Sequence, residues 1–277
     1  MGLKFELEFV TDYHCVANTS MIRSGNIGAI ILRNFTCIID TSSYPVTAKS
    51  FRAKVEKNFG LPAKFLIYTH YHGDHIFGAS VFKDLVIISS KQTQRNLINI
   101  DTLKSIEEWK YNLMNEDPLA EGIEIISPTI CFLDKMFIKD EDLELEICHA
   151  GGHTSGSTYV YFPKEKVIFT GDLIFEDIYP YVGDPTCNPD KWIAQLEQIK
   201  KMDIERIVPG HGHILLNNKE LDKHIIFYKS LRTGIREAIQ EKISMNSIQA
   251  PNFFELEAEI WKPVAIEAWY NYYKSQI

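Results

Sequence analysis

The chain of 277 residues is 45% hydrophobic and 24% charged, proportions that suit a globular protein with a buried core and exclude a disordered or low-complexity chain. Acidic residues outnumber basic ones 37 to 29, a net charge of −8, which argues against the broad basic face that nucleic-acid binding requires. No apolar run reaches the length of a membrane span, so neither a nucleic-acid nor a membrane partner is expected.

The N-terminus alternates polar and apolar residues, which predicts a strand over Lys4–Val10. It lacks a basic stretch followed by an apolar run, so no secretory signal is expected. The five cysteines (15, 37, 131, 148 and 187) are scattered and form no C-x-x-C pair, which points to a reducing, cytoplasmic setting. Strands are expected at Ala29–Leu32 and Thr36–Asp40, then an amphipathic helix over Val46–Phe59 that Gly60 and Pro62 end. Lys64–Thr69 reads as a strand running directly into His70, and Leu85–Ser89 as another. Residues 91–115 look helical, in one or two pieces. Leu143–Cys148 alternates, Ser157–Phe162 and Val167–Thr170 flank a turn at Pro163–Lys164, Pro189–Met202 reads as a helix and Ile204–Val208 as a strand. From Lys219 the pattern is helical to the end, with a break at Pro251. This divides the chain into a core over 1–218 and a helical segment over 219–277 that packs on it.

Metal-binding side chains cluster just after the expected strands. His70-Tyr71-His72-Gly73-Asp74-His75 places four of them within six residues, and alternate positions of a tight loop can serve different ions. Three further motifs follow: Gly151-Gly152-His153-Thr154-Ser155-Gly156-Ser157, Thr170-Gly171-Asp172 and Pro209-Gly210-His211-Gly212-His213. A lone histidine in a Gly/Ser loop is more often a surface residue, and an aspartate after a strand is often only a cap or turn former. Their conjunction at successive strand ends is what points to a metal site.

The order H-x-H-x-D-H, G-H-T-x-G-S, G-D, P-G-H-G resembles the metallo-β-lactamase superfamily, over a stretch running from about Ile30, through Ile38-Ile39-Asp40-Thr41, to His211. The resemblance implies a four-layer αββα sandwich of the α/β (α+β) class, here with a helical C-terminal extension. It implies that His70, His72 and His153 hold one metal, that Asp74, His75 and His211 hold a second, and that Asp172 bridges them. Two divalent ions are expected, zinc first, with iron or manganese as alternatives. The implied chemistry is hydrolysis by a hydroxide shared between the metals, with Asp74 as the catalytic group that orients it.

Within that superfamily, dedicated β-lactamases usually replace the bridging aspartate, and Asp172 argues against one. Glyoxalase II and the lactonases keep it, although Tyr71 stands where glyoxalase II typically has another histidine. The expected substrate is a small carbonyl ester, thioester or lactone. Phosphodiester or β-lactam cleavage is the enzymatic alternative, and a non-catalytic metalloprotein is the reading from another class.

Asp40 and His149 are candidates for supporting the ligands from behind, and Tyr179 and Tyr181, with Phe175, for walling the pocket. Lys229, Arg232 and Arg236 share a helical face that reads as solvated, and His213 as a solvent-facing neighbour of His211. In the tail, Phe254, Trp261 and Trp269 fall at spacings that suggest one helical face. That face would dock on the sandwich, at the rim of the site, or against a second copy as a homo-oligomer.

Overall fold

In the computed structural model, residues 7–12, 14–19 and 24–277 are described. The chain builds two sheets. The first comprises β1 (Glu8–Phe9), β2 (Cys15–Asn18), β3 (Ile27–Ile31), β4 (Thr36–Ile39), β5 (Ala63–Ile67), β6 (Val86–Ser90) and β7 (Ile130–Phe132), ordered in space as in sequence. Neighbours up to β4 are antiparallel, and β4 to β7 are parallel. The second comprises β8 (Lys135–Asp140), β9 (Leu143–His149), β10 (Thr158–Phe162), β11 (Val167–Phe175) and β12 (Arg206–His211), ordered 12-11-10-9-8 with only β11 and β12 parallel. The helices are α1 (Pro45–Phe59), α2 (Gly73–Ile76), α3 (Lys91–Ile98), α4 (Ile100–Glu116), α5 (Pro189–Ile199), α6 (Leu221–Gln240) and α7 (Ala258–Lys274).

Three apolar cores stack these elements into four layers. The central one interleaves Ile30, Cys37, Ile39, Ile67 and Ile88 of the first sheet with Leu145, Ile147, Val160, Phe169 and Val208 of the second. One outer core packs Phe51 and Val55 of α1 and Ile106 of α4 on the first sheet. The other packs Trp192 and Leu196 of α5, Tyr228 and Leu231 of α6 and Trp269 of α7 on the second. The result is an αββα sandwich. A sheet with both faces covered explains why β3, β4 and β11 are buried along their whole length and do not alternate.

Several expectations need correcting. Most of the strand expected over Lys4–Val10 falls on residues 4–6, outside those described, or outside β1. Strands β2, β7 and β8 were not anticipated: β2 is fully buried and too short to show a period, and β8 exposes Phe137 on its outer face. Asp172 does not follow its strand but lies within β11, which runs on to Phe175. In the tail, α7 begins at Ala258, so Phe254 precedes the helix and cannot share a helical face with Trp261 and Trp269. The break is longer than one proline, from the end of α6 at Gln240 to Ala258, and Pro263 is accommodated inside α7.

Candidate metal centre

The ligands lie in or just after strands: His70 and His72 after β5, His153 after β9, Asp172 within β11 and His211 at the end of β12, of which β9, β11 and β12 run in the same direction. Open α/β sheets gather ligands at the carboxyl ends of their strands. Two glycines permit close approach beside the central aspartate. Gly171 holds φ +49°, and a Cβ there would lie 2.5 Å from the Thr69 hydroxyl. At Gly210 a Cβ would fall 2.0 Å from Asp172 Oδ1, so any side chain would displace the central carboxylate.

Two donor sets result. His70, His72, His153 and Asp172 form one, and Asp74, His75 and His211 the other, each set's donor atoms lying within 4.8 Å of one another. Asp172 divides its oxygens between them. Oδ2 lies 3.7 Å from His70 Nε2 and 3.5 Å from His153 Nε2, and Oδ1 lies 2.9 Å from His75 Nε2 and 3.5 Å from His211 Nε2. Asp74 Oδ2 is 3.1 Å from His211 Nε2. Donors bound at about 2.0–2.2 Å around one tetrahedral ion would stand at about these separations from one another.

A chemical test agrees. His70 Nε2 is buried with no hydrogen-bond partner, and His75 Nε2 and Asp172 Oδ1, also buried, face each other at 2.9 Å without forming a well-directed hydrogen bond. Unpaired buried polar atoms are costly, and a cation removes the cost at all three. The protonation pattern agrees as well. Burial, reinforced by its histidine neighbours, holds the His153 pKa down at about 4 and that of His70 well below the usual range. Burial also works against the charge on His211, but Asp172 and Asp74 carry its pKa up to about 9. Burial opposes ionisation of Asp172, which His75 and His211 nevertheless hold well below the usual carboxylate range.

The side chains behind the ligands fix their orientation. Asp40, itself at φ +56°, accepts from His75 Nδ1 at 2.8 Å and from the Thr69 amide and hydroxyl at 2.8 and 2.7 Å. The Thr41 amide and hydroxyl both donate to the His75 carbonyl at 2.9 Å. His149 is a member of neither donor set; its Nε2 bonds the Ser155 carbonyl at 2.8 Å within the loop that carries His153. His213 is exposed, with its amide on Glu176. Lys229 and Arg232 pair with Glu197 and Asp190 on the α5 side, and Arg236 lies over Tyr273.

Two contributors escaped the sequence reading. Asp184 accepts from His72 Nε2 at 2.8 Å, from the Tyr71 hydroxyl, and from the Thr186 amide and hydroxyl at 2.7 and 2.5 Å. Burial works to raise its pKa, but the bonds from His72, Thr186 and Tyr71 hold it well below the usual carboxylate range. With Nε2 so occupied, His72 turns Nδ1 into the site, 3.1 Å from His153 Nε2. Asn26 donates its amide to the Gly210 carbonyl at 2.7 Å and its side chain to those of Pro209 and Gly212 at 2.9 Å, clamping the turn around His211. The only available signal for either was a polar residue beside a turn former, which most loops carry.

The centre opens into a cleft with two lobes of about 590 and 430 Å³ that share His72, Tyr181 and Trp261. Tyr181 stands edge-on to His72 at 5.8 Å and to Trp261 at 5.1 Å. Phe175 stacks on His211 at 5.3 Å. Tyr179 offers the floor only its ring; the residue is buried, and its hydroxyl has no hydrogen-bond partner among the described residues.

Over residues 22–211 the chain matches the family model for the metallo-beta-lactamase superfamily. The chain belongs to that superfamily. Among curated proteins it is similar to a linear primary-alkylsulfatase from a Pseudomonas species, 24% identical over 67% of the chain and 41% of the relative. It is also similar to a hydroxyacylglutathione hydrolase from Pelagibacter ubique, 25% identical over 82% of each chain. The chain thus spans less than half of the first relative and most of the second. A metallo-β-lactamase from Pontibacter korlensis shares the fold, with a TM-score of 0.63, 17% identity, and coverage of 82% of this chain and 99% of that one. Among the described residues no helix is long and apolar enough to cross a membrane.

Proposed function

We propose that the protein is a dinuclear metal-dependent hydrolase acting on a small carbonyl ester, thioester or lactone. The observation that carries this reading is Asp172, whose two oxygens face two different donor sets at the floor of an open cleft. A purely structural metal site is usually closed and holds a single ion. His70, His72, His153 and Asp172 would hold one ion, Asp74, His75, His211 and Asp172 the other, with zinc favoured by the nitrogen-rich set. Bound there, the ions would supply Lewis acidity toward the acyl oxygen and a nucleophile active near neutral pH.

The chain's own groups account for the rest. Asp74 lines the cleft and stays ionised, held low by His75 and His211 against the opposing effect of burial, so its carboxylate can take the proton released when water adds to the acyl carbon. That proton then goes to the departing oxygen or sulfur as the acyl bond breaks. Tyr181 and Trp261 wall the cleft and position the substrate over the ligand set. The relatives named a hydrolase and a sulfatase support hydrolysis but not one substrate. We further propose one working unit, a 1–218 core carrying 219–277 on its flank, which the core shared by α5, α6 and α7 supports. All five cysteines are free, which favours a reducing compartment such as the cytoplasm.

The test is turnover of esters, thioesters, lactones, phosphodiesters and a β-lactam by protein reconstituted with zinc, iron or manganese, alongside metal content. Turnover of a carbonyl substrate that disappears in Asp172→Ala supports the reading. Preference for the phosphodiester or the β-lactam, or full metal loading without turnover of anything, overturns it.

A further inference from the structure

The two lobes of the cleft meet at the ligands, and different ligands face each. His72 lines both, as do Tyr181 and Trp261, whose rings meet at 5.1 Å and divide one lobe from the other. Among the described residues, Asp74, Asp172 and His211 line the larger lobe alone, and Tyr71 and Gly73 the smaller alone. At about 590 and 430 Å³, each lobe by itself falls in the range of about 300–1,000 Å³ usual for a complete small-molecule pocket.

One face of α4 forms a wall of the smaller lobe. Asp101, Ser105 and Trp109 follow one another at one-turn spacing, as do Thr102 and Ile106, so these side chains share that face. Asn99 fixes where the helix starts, its side chain accepting from the Asp101 and Thr102 amides at 3.1 Å. Trp109 is 41% exposed, with its ring edge-on to Phe77 at 5.3 Å, and so offers the lobe an open aromatic surface. Asp184, also on the wall of this lobe, is held in place by the bonds from His72, Tyr71 and Thr186. The larger lobe is walled largely by apolar side chains, among them Phe175, Ile178, Leu256 and Ile260, and a parallel bridge joins Ile178 to Leu256.

Resting on the hydrolase reading, we infer that the substrate is an open-chain ester or thioester with a sizeable group on each side of the bond that breaks. Its acyl chain lies in the smaller lobe against Trp109, and its alcohol or thiol arm lies in the larger. The orientation follows from Asp74. Water adds to the acyl carbon, the bond to oxygen or sulfur breaks, and the departing atom takes the proton that Asp74 holds. That atom must therefore stand on the side of Asp74, in the larger lobe, while the acyl chain runs the other way, past His72. A lactone keeps its departing oxygen tethered to the acyl carbon, so its ring occupies one side and leaves the other lobe to water. Trp109 is then a specificity-determining residue for the acyl half, and Ile260 for the departing half.

Three stable amides provide the test. N-hexyl-4-phenylbutanamide carries both arms, N-methyl-4-phenylbutanamide only the acyl arm and N-hexylacetamide only the other. Binding to the zinc-loaded full chain is measured by isothermal titration calorimetry, and turnover is followed on the S-hexyl thioester of 4-phenylbutyric acid and on δ-decalactone. The two-armed amide is expected to bind at least about tenfold more tightly than either one-armed amide, since a second apolar arm leaves water. Trp109→Ala should weaken both phenylbutanamides about fivefold or more and leave N-hexylacetamide unchanged. Ile260→Ala should weaken N-hexylacetamide and leave N-methyl-4-phenylbutanamide unchanged. Should Trp109→Ala fail to fold, Ser105→Trp, which fills the smaller lobe from an exposed position, is expected to give the same pattern. A two-armed amide that binds no more tightly than the better one-armed amide overturns the inference. So do folded Trp109 or Ser105 variants that weaken N-hexylacetamide instead or change no affinity, and so does a higher kcat/KM for the lactone than for the thioester. Two-armed binding with the expected variant pattern but no turnover supports it and sinks only the hydrolase reading.

Discussion

Asp172 can serve two ions because each of its oxygens faces a different group of rings, and Gly210 is absent of side chain where one would intrude. Asp172→Ala is therefore expected to lower metal content below two ions per chain and to abolish turnover together, with elemental analysis and kinetics as the readouts. Asp184 acts one step removed, by fixing which nitrogen His72 presents. Asp184→Ala should weaken retention of one ion roughly 10–100-fold, the usual effect of losing a ligand's hydrogen-bond partner, as measured by chelator competition. His213→Ala should change neither. Protons compete for the same nitrogens. With its pKa at about 9 in the metal-free protein, His211 is charged at neutral pH, so metal binding must expel that proton and apparent affinity should rise with pH up to about 9. In the metal-free protein the imidazolium joins Asp74 to Asp172. This contribution is complete below the ordinary histidine pKa of about 6.5 and is lost as pH climbs through about 9. Melting curves of chelated protein across that range check the sign, and a rise in stability there would contradict it.

At the scale of elements, the legible parts were those with local signals. The four ligand motifs are short and their residues near in sequence, so the candidate ligands stood out before any geometry was known. Helix α1 showed its buried face through Ala48, Phe51 and Val55. What stayed hidden depends on pairing between distant segments. Asp184 sits in an irregular Gly-Asp-Pro-Thr stretch that becomes meaningful only once Tyr71 and His72 are brought beside it. The tail misled for a related reason. Its aromatic spacing presumes one uninterrupted helix, yet the chain turns through 252–257 before α7 starts, sending Phe254 and Trp269 into the core and Trp261 to the cleft. Trp269 is 1% exposed and stacks on Tyr228 of α6 at 5.8 Å. Trp269→Ala is expected to cost about 3–5 kcal/mol of stability, measured by denaturant titration, and truncation before Pro251 to prevent folding altogether. A truncated chain that folds with only an altered KM would show instead that α7 serves the rim alone.

For the molecule as a whole, the buried donors unpaired in the absence of metal predict that ions stabilise the fold as well as act in it. Metal held at a hundred times its Kd should add about 2.7 kcal/mol, seen as a fall in Tm on chelation. The placement of the ligands gives this stabilisation a direction. His70 and His72 follow β5 of the first sheet while His153 follows β9 of the second, and Asp74 and His75 lie in α2, which comes after β5, while His211 ends β12. Each ion would therefore act as a cross-link between the two halves of the sandwich, closing a long loop at the edge where the cleft enters. Amide hydrogens of β5, β11 and β12 near that edge should exchange with solvent far more slowly when metal is bound, while those at the opposite edge should exchange at nearly the same rate in both states.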